Sequence, residues 1–242
     1  MKAWKGGIEM AFGFLFRKNR FNGLPEGFTV TFHTGFLDTE ENTVEGVAKA
    51  VELDAQVIEV DVTFRDDGTP VILHAGSAGK DGGVLFDDAM AKAAEHPSCR
   101  LNLDIKSTAN LPAVDEVIKK YGLMERAFYT GVSADWVDTV RKNSIIPYWL
   151  NHNVSPIEAR SSSFPEKLVR EIRDCGAVGL NSKYICVNSR IVSVLHENGI
   201  PVSIWTPCAE REMRACLALS PDNITTKRPD LLRPMVDRIA GK

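Results

Sequence analysis

Short apolar, β-rich runs alternate with helical patterns along the whole of this chain, and that regularity limits its fold more than any other feature. The runs are Thr29–His33, Val57–Thr63, Arg100–Ile105, Ala127–Thr130, Ile146–Leu150, Ala177–Leu180, Val202–Trp205 and Asn223–Thr226. Helical patterns fill the intervals at Glu41–Leu53, Phe86–Glu95, Ala113–Tyr121, Ala134–Lys142, Pro165–Cys175, Ser189–Asn198 and Glu210–Leu219, with Arg233–Ala240 closing the chain. Gly122, Gly176 and Gly199 stand where helices should stop, and Ser133 and Ser189 where two should start. Strand–helix alternation predicts a parallel sheet, and eight units can close on themselves as a single-domain (β/α)8 TIM barrel. An open doubly wound sheet is the alternative, but it would need a Gly-rich first turn, and none is present. The turn Asp66-Asp67-Gly68 sends Val71–His74 back as an extra hairpin arm, and so few residues separate His74 from the strand at Arg100 that any inserted subdomain there is short or absent.

At 242 residues the chain suits one such barrel, assigned to residues 29–242. The segment 1–28 is expected to cap the barrel floor or lie peripherally. Its aromatic stretch around Met10, Phe12, Phe14, Leu15 and Phe16 fits a floor cap better than a lipid contact, because apolar segments usually find a core first. That stretch holds Glu9, ends in Arg17-Lys18-Asn19-Arg20 and lacks a small-residue cleavage site, so it does not read as a secretion signal. A net charge of −3 without a clustered basic surface argues against a nucleic-acid partner. Five cysteines with no CxxC spacing read as reduced thiols, which makes cytoplasmic the expected location. The oligomeric state is not legible.

Acid–base and metal-type side chains gather at the ends of the early strands. His33 closes the first, Glu59 and Asp61 share the second, Asp104 lies on the third, and His74 follows the hairpin arm. Residues at i and i+2 of a strand point the same way, so Glu59 and Asp61 share a face while Ile58, Val60 and Val62 fill the other. Two buried carboxylates repel unless a cation neutralises them, which points to a metal-dependent enzyme. Active sites of (β/α)8 barrels lie at the strand C-termini, where these residues and Trp205 fall. The plainer alternative pairs the carboxylates with Lys106 and Arg65. His152 ends the fifth strand with no motif around it, and His96 and His196 read as surface residues.

With these residues in order, the chain resembles the glycerophosphodiester phosphodiesterase family, within the wider group of phosphatidylinositol-phosphodiesterase-like barrels. The family's His-Arg-Gly, Glu-Asn-Thr, Glu-x-Asp, Asp-Gly and His-Asp are met here by His33-Thr34-Gly35, Glu41-Asn42-Thr43, Glu59-Val60-Asp61, Asp67-Gly68 and His74-Ala75. Its Glu-x-Lys and late Trp-Thr are met by Asp104-Ile105-Lys106 and Trp205-Thr206. The resemblance implies one divalent cation, Mg²⁺ or Ca²⁺, held by Glu59, Asp61 and Asp104. It implies His33 and His74 as the catalytic acid–base pair, Lys106 and Trp205 as substrate-binding residues, and Glu41 in support. It implies hydrolysis of a small glycerophosphodiester, or a related lysophospholipid-type phosphodiester, to glycerol 3-phosphate and an alcohol through a cyclic phosphate. Thr34 and Ala75 replace the family's Arg and Asp, and Thr226 stands where the family often has an Asp. Two further readings share the site: a phospholipase D-like lyase that stops at the cyclic phosphate, and a catalytically impaired barrel that binds a phospho-ligand.

Overall fold

Eight parallel strands close a barrel in the computed structural model, which describes residues 23–241. They are β1 (Thr29–Phe32), β2 (Val57–Phe64), β5 (Arg100–Ile105), β6 (Ala127–Val132), β7 (Tyr148–Asn151), β8 (Leu180–Lys183), β9 (Val202–Trp205) and β10 (Asn223–Thr226). Neighbours follow in that order, and β1 pairs with both β2 and β10, so the barrel has no open edge. The short strands β3 (Pro70–Ile72) and β4 (Val84–Leu85) form an antiparallel arm on β2, as the Asp-Gly turn predicts. No inserted subdomain follows it: α2 (Phe86–Ala93) leads back to the barrel after α1 (Val44–Glu52) has joined β1 to β2. The remaining helices are α3 (Leu111–Lys120), α4 (Val137–Asn143), α5 (Pro156–Arg160), α6 (Phe164–Cys175), α7 (Ser189–Glu197), α8 (Glu210–Leu217) and α9 (Pro229–Ile239). Amphipathic spacing turns the longer helices inward; α6, for example, buries Phe164, Leu168, Val169 and Ile172.

The interior of the barrel differs from the shell between strands and helices. Outward residues such as Val30, Phe32, Val60, Val62, Leu103 and Ile204 make the apolar layer beneath the helices. Inward residues are apolar only at the floor, where Val57, Phe128 and Trp149 form a separate cluster and Arg100 lies over the Phe128 ring at 5.0 Å. Gly179 is required there, because a methyl at that position would sit 2.5 Å from the Trp149 ring. Above the floor the inward layer is polar. Thr31 Oγ1 donates to Asn223 Oδ1 (2.7 Å), Asn223 Nδ2 to Ser203 Oγ (2.9 Å), and Asn181 Nδ2 to Asn151 Oδ1 (3.0 Å).

That polar lining explains the largest boundary difference. Hydropathy ends the sixth run at Leu180, yet β8 continues through Asn181, Ser182 and Lys183, whose alternate side chains meet a polar interior. The fifth strand likewise begins at Tyr148 rather than Ile146. The last helix starts a turn earlier than its pattern, since Pro229 suits a first turn. The cap of α7 is Asn188 and not Ser189: Asn188 Oδ1 accepts from Ile191 N at 3.0 Å. His96 is not a surface residue. It is buried, with Nδ1 accepting from Cys99 N (2.9 Å) and Nε2 facing Asp54 Oδ1 (2.9 Å).

Most of the segment 1–28 lies outside the described residues, including the aromatic stretch, although Leu24 and Phe28 do pack on the core. Among the described residues no helix is long and apolar enough to cross a membrane. The five cysteines are free thiols.

Candidate active site

Inward side chains converge on the C-terminal mouth, and two neighbouring strands bring the acids together. Glu59 and Asp61 on β2 and Asp104 on β5 place carboxylate oxygens within 4.8 Å of one another. Asp61 and Asp104 are register partners, so this approach follows from the strand pairing itself. Glu59 and Asp61 are 3% and 1% exposed, whereas Asp104 faces the mouth.

Against three acids the site sets one lysine. Lys106 Nζ donates to Asp61 Oδ1 (2.8 Å) and Asp104 Oδ2 (2.5 Å). Burial pushes the Lys106 ammonium toward neutrality, but the two carboxylates outweigh it and hold its proton more tightly than usual. Arg65 takes no part; its guanidinium donates to the Gly82 and Gly83 carbonyls. Glu59 accepts from Thr34 N at 2.8 Å, with His33 Nδ1 at 3.7 Å. Burial first, and then the Asp61 and Asp104 charges, hold the Glu59 carboxyl well above the ordinary carboxylate range. Burial pushes Asp61 the same way, yet Lys106 and the Asn42 amide leave it below its ordinary value. The donor set is all oxygen and carries surplus negative charge, which fits a hard divalent cation.

The two histidines flank this cluster with their Nδ1 atoms engaged. His33 Nδ1 donates to Thr34 O at 2.7 Å, which leaves the lone pair on Nε2. Burial, and secondarily Lys227, favour the neutral ring. His74 Nδ1 donates to Asp61 Oδ2 at 3.0 Å, so the carboxylate orients this ring although Ala75 follows it. The His74 side chain is 68% exposed and its Nε2 faces outward from that bond.

Glu41 sits apart from the acids. Its side chain lies over Gly35 and its carboxylate pairs with Lys227. Trp205 ends β9 with its ring facing Lys183 Nζ, 5.3 Å from the centroid. His152 turns from the mouth toward Glu158 (3.4 Å) and the Phe164 ring.

Several contributors escaped the sequence reading. Asn42 donates to Asp61 Oδ2 (2.8 Å) and accepts from Asp61 N (2.9 Å), and Thr34 Oγ1 accepts from Asn42 N (2.5 Å). Thr34 is therefore buried as a brace. Thr130 Oγ1 donates to Asp104 Oδ1 at 3.0 Å. Lys183 and Lys227 continue the inward parity of Asn181 on β8 and Asn223 and Thr225 on β10. Counting in twos from the buried Asn residues would have found both lysines.

Residues 23–79 match the model of the Glycerophosphoryl diester phosphodiesterase family. The matched segment holds His33, Glu59, Asp61 and His74. No curated protein sequence matches the chain. Among solved structures, the barrel is similar to a phosphodiesterase from Oleispira antarctica in complex with the product sn-glycerol-3-phosphate (TM-score 0.70, 17% identity, 94% of this chain and 99% of that one). It is similar to a glycerophosphodiester phosphodiesterase from Parabacteroides distasonis (TM-score 0.70, 17% identity, 88% and 98%). A third, from Thermotoga maritima, aligns with a TM-score of 0.62 at 20% identity over 86% and 98%. At these identities the structural likeness is one of fold. The family match carries the motif residues His33, Glu59, Asp61 and His74, and the rest of the chain closes a barrel of the same fold as these solved phosphodiesterases.

Proposed function

We propose that this protein is a divalent-cation-dependent phosphodiesterase that hydrolyses glycerophosphodiesters to glycerol 3-phosphate and an alcohol. The observation that carries the reading is the acidic trio Glu59, Asp61 and Asp104 set between two imidazoles with fixed Nδ1 protons. The three carboxylates would hold Mg²⁺ or Ca²⁺. When bound, the cation supplies positive charge to the phosphoryl oxygens as a Lewis acid.

The residues of the chain then divide the proton transfers. His33 Nε2 takes the proton from the glycerol hydroxyl next to the phosphate, and that oxygen attacks phosphorus. The bond from phosphorus to the departing alcohol breaks, and His74 Nε2 gives that oxygen a proton. The product is a cyclic phosphate. Water opens the ring with the roles reversed: His74 accepts the water proton and His33 returns its own to the glycerol oxygen. General acid–base transfer of this kind contributes about 10²–10⁴-fold in rate. Lys106 offsets charge on the phosphate, and Lys227 offers from the neighbouring strand end the positive charge that Thr34 does not. Trp205 lines the side that takes the alcohol.

The test is hydrolysis of a chromogenic phosphodiester by metal-stripped protein with Mg²⁺, Ca²⁺ or Mn²⁺ added back, beside Asp61→Asn and His33→Ala. Cation-dependent turnover lost in both variants is expected. No turnover with any cation, while calorimetry still detects binding of the cation and of a phosphodiester, would replace the reading with a phospho-ligand binder. Phosphorus NMR separates the remaining alternative, because a cyclic phosphate that accumulates and never opens marks a lyase.

A further inference from the structure

The polar register that ends in His33 and Asp61 on one wall of the mouth ends on the other in Lys183 and Trp205. These two are register partners across β8 and β9, and Lys183 Nζ stands 5.3 Å from the Trp205 ring centroid. β8 lies four strands from β2 whichever way the barrel is followed. The pair therefore faces the carboxylates from the opposite wall. A phosphodiester held at the carboxylates brings to Lys183 its substituent and not its phosphorus.

The acids nearest this wall are engaged elsewhere. Glu212 accepts from Tyr184 Oη, Cys208 N and Ala209 N, while Glu158 caps its own helix at Ser155 N and faces His152. Among the described residues Lys183 enters no ion pair, and its exposed ammonium has the Trp205 face as its partner. Lys106 and Lys227, by contrast, each have a carboxylate partner beside the phosphate position. Without a carboxylate partner among the described residues and set on the opposite wall, Lys183 leaves its charge for the substituent and not for the phosphate.

We infer that Lys183 is a specificity residue for the alcohol portion of the substrate, turning the site against cationic head groups such as choline and toward neutral polyol or anionic ones. The inference rests on the phosphodiesterase reading and names its substrate class. A quaternary ammonium group gains from an aromatic face when it lies within about 6 Å of the ring centroid. Lys183 already holds that place on Trp205 with the same sign of charge. Glycerol or inositol hydroxyls lose nothing there, and a carboxylate or second phosphate gains a partner.

The experiment compares kcat/KM for glycerophosphoglycerol and glycerophosphocholine in the parent protein, Lys183→Gln and Lys183→Glu, each with saturating cation. The ratio is taken within each protein, so any loss of folded enzyme cancels. The parent should favour glycerophosphoglycerol about tenfold or more, Lys183→Gln should lose most of that preference, and Lys183→Glu should reverse it. Tetramethylammonium chloride, against matched sodium chloride, should inhibit Lys183→Glu competitively and leave the parent untouched. Turnover of both substrates with a ratio that does not move across the three proteins would overturn this inference and leave the phosphodiesterase reading standing. Turnover of neither substrate by the parent would overturn that reading, and this inference with it.

Discussion

Asn42 and Asp61 hold each other through reciprocal hydrogen bonds, the Asn42 amide donating to the Asp61 carboxylate at 2.8 Å and the Asp61 amide donating to Asn42 Oδ1 at 2.9 Å. Asn42 adopts φ 56°, a left-handed conformation that Asn tolerates better than most residues. Its own amide is taken by Thr34 Oγ1. The carboxylate is thus aimed by a loop residue whose backbone is itself fixed.

Asn42→Ala removes both bonds and leaves a β-carbon in that left-handed conformation. Stability should fall by about 2–4 kcal/mol in denaturant unfolding, since buried hydrogen-bonding groups lose their partners. Cation affinity should fall by about 10–100-fold in calorimetric titration, the usual cost of losing a partner that orients a ligating group. Unchanged affinity would mean that Asp61 needs no such support.

Thr34 stands in the family's arginine position but spends its hydroxyl on Asn42, buried beneath the mouth. Thr34→Arg should therefore lower turnover and stability, because the long side chain displaces the brace and has no route to the phosphate. Lys227→Met should raise KM for a phosphodiester by about tenfold, as the loss of one charge-assisted contact would. Higher kcat/KM in Thr34→Arg would show instead that this position faces the substrate.

Glu59 links the cation to stability. Its carboxyl is raised in the folded protein, so the folded state holds that proton more tightly than the unfolded chain does. The contribution is complete below the ordinary carboxylate value and is lost as pH rises through the raised one. Asp61 has the opposite sign: its depressed value adds stability above the ordinary carboxylate range, lost as pH falls through the depressed value. Metal-stripped protein should accordingly melt at lower temperature as pH rises above the ordinary carboxylate range. A cation at about 100 times its dissociation constant should restore about 2.7 kcal/mol. Glu59→Gln should flatten that pH dependence, stabilise the metal-free form and abolish the cation's effect. Differential scanning calorimetry across pH, with and without cation, decides all three.

The barrel was legible because its outer strand faces and its helices obey the apolar periods, and the acid cluster because Glu59, Asp61 and Asp104 combine strand parity with an improbable burial of charge. The inner layer was legible on β9 and β10 but not on β8, because Asn181 looks like a loop residue to hydropathy, although it is a strand residue bonded to Asn151 on the neighbouring strand. Hydropathy alone therefore sets β8 three residues early and gives no sign of Lys183. Sequence pattern misses the burial of His96 for a related reason: its contact with Asp54 joins segments far apart in sequence. Thr34 shows the limit of motif comparison, since a substitution in a grip on phosphate proved to be a brace with a different partner.

Gly131 gives the sharpest test of how closely the acids are packed. It lies on β6 at a register irregularity with φ 79°, and its amide donates to Asn151 Oδ1 at 3.0 Å. A methyl there would fall against the Ile105 carbonyl oxygen and 2.7 Å from Asp104 Oδ1. Gly122 has a similar φ of 66° with nothing within 4 Å of the same position. Gly122→Ala should cost only the left-handed strain, about 1–2 kcal/mol, with cation binding unchanged. Gly131→Ala should cost about 2–4 kcal/mol and weaken cation binding as well, because the Asp104 carboxylate must swing away from Asp61. The difference between the two variants removes the left-handed strain and leaves the crowding against Ile105 and Asp104, of which the loss of cation affinity reads the Asp104 part. Equal losses in stability, with equal cation affinity, would mean that β6 relaxes without moving the carboxylate and that Gly131 serves the strand alone.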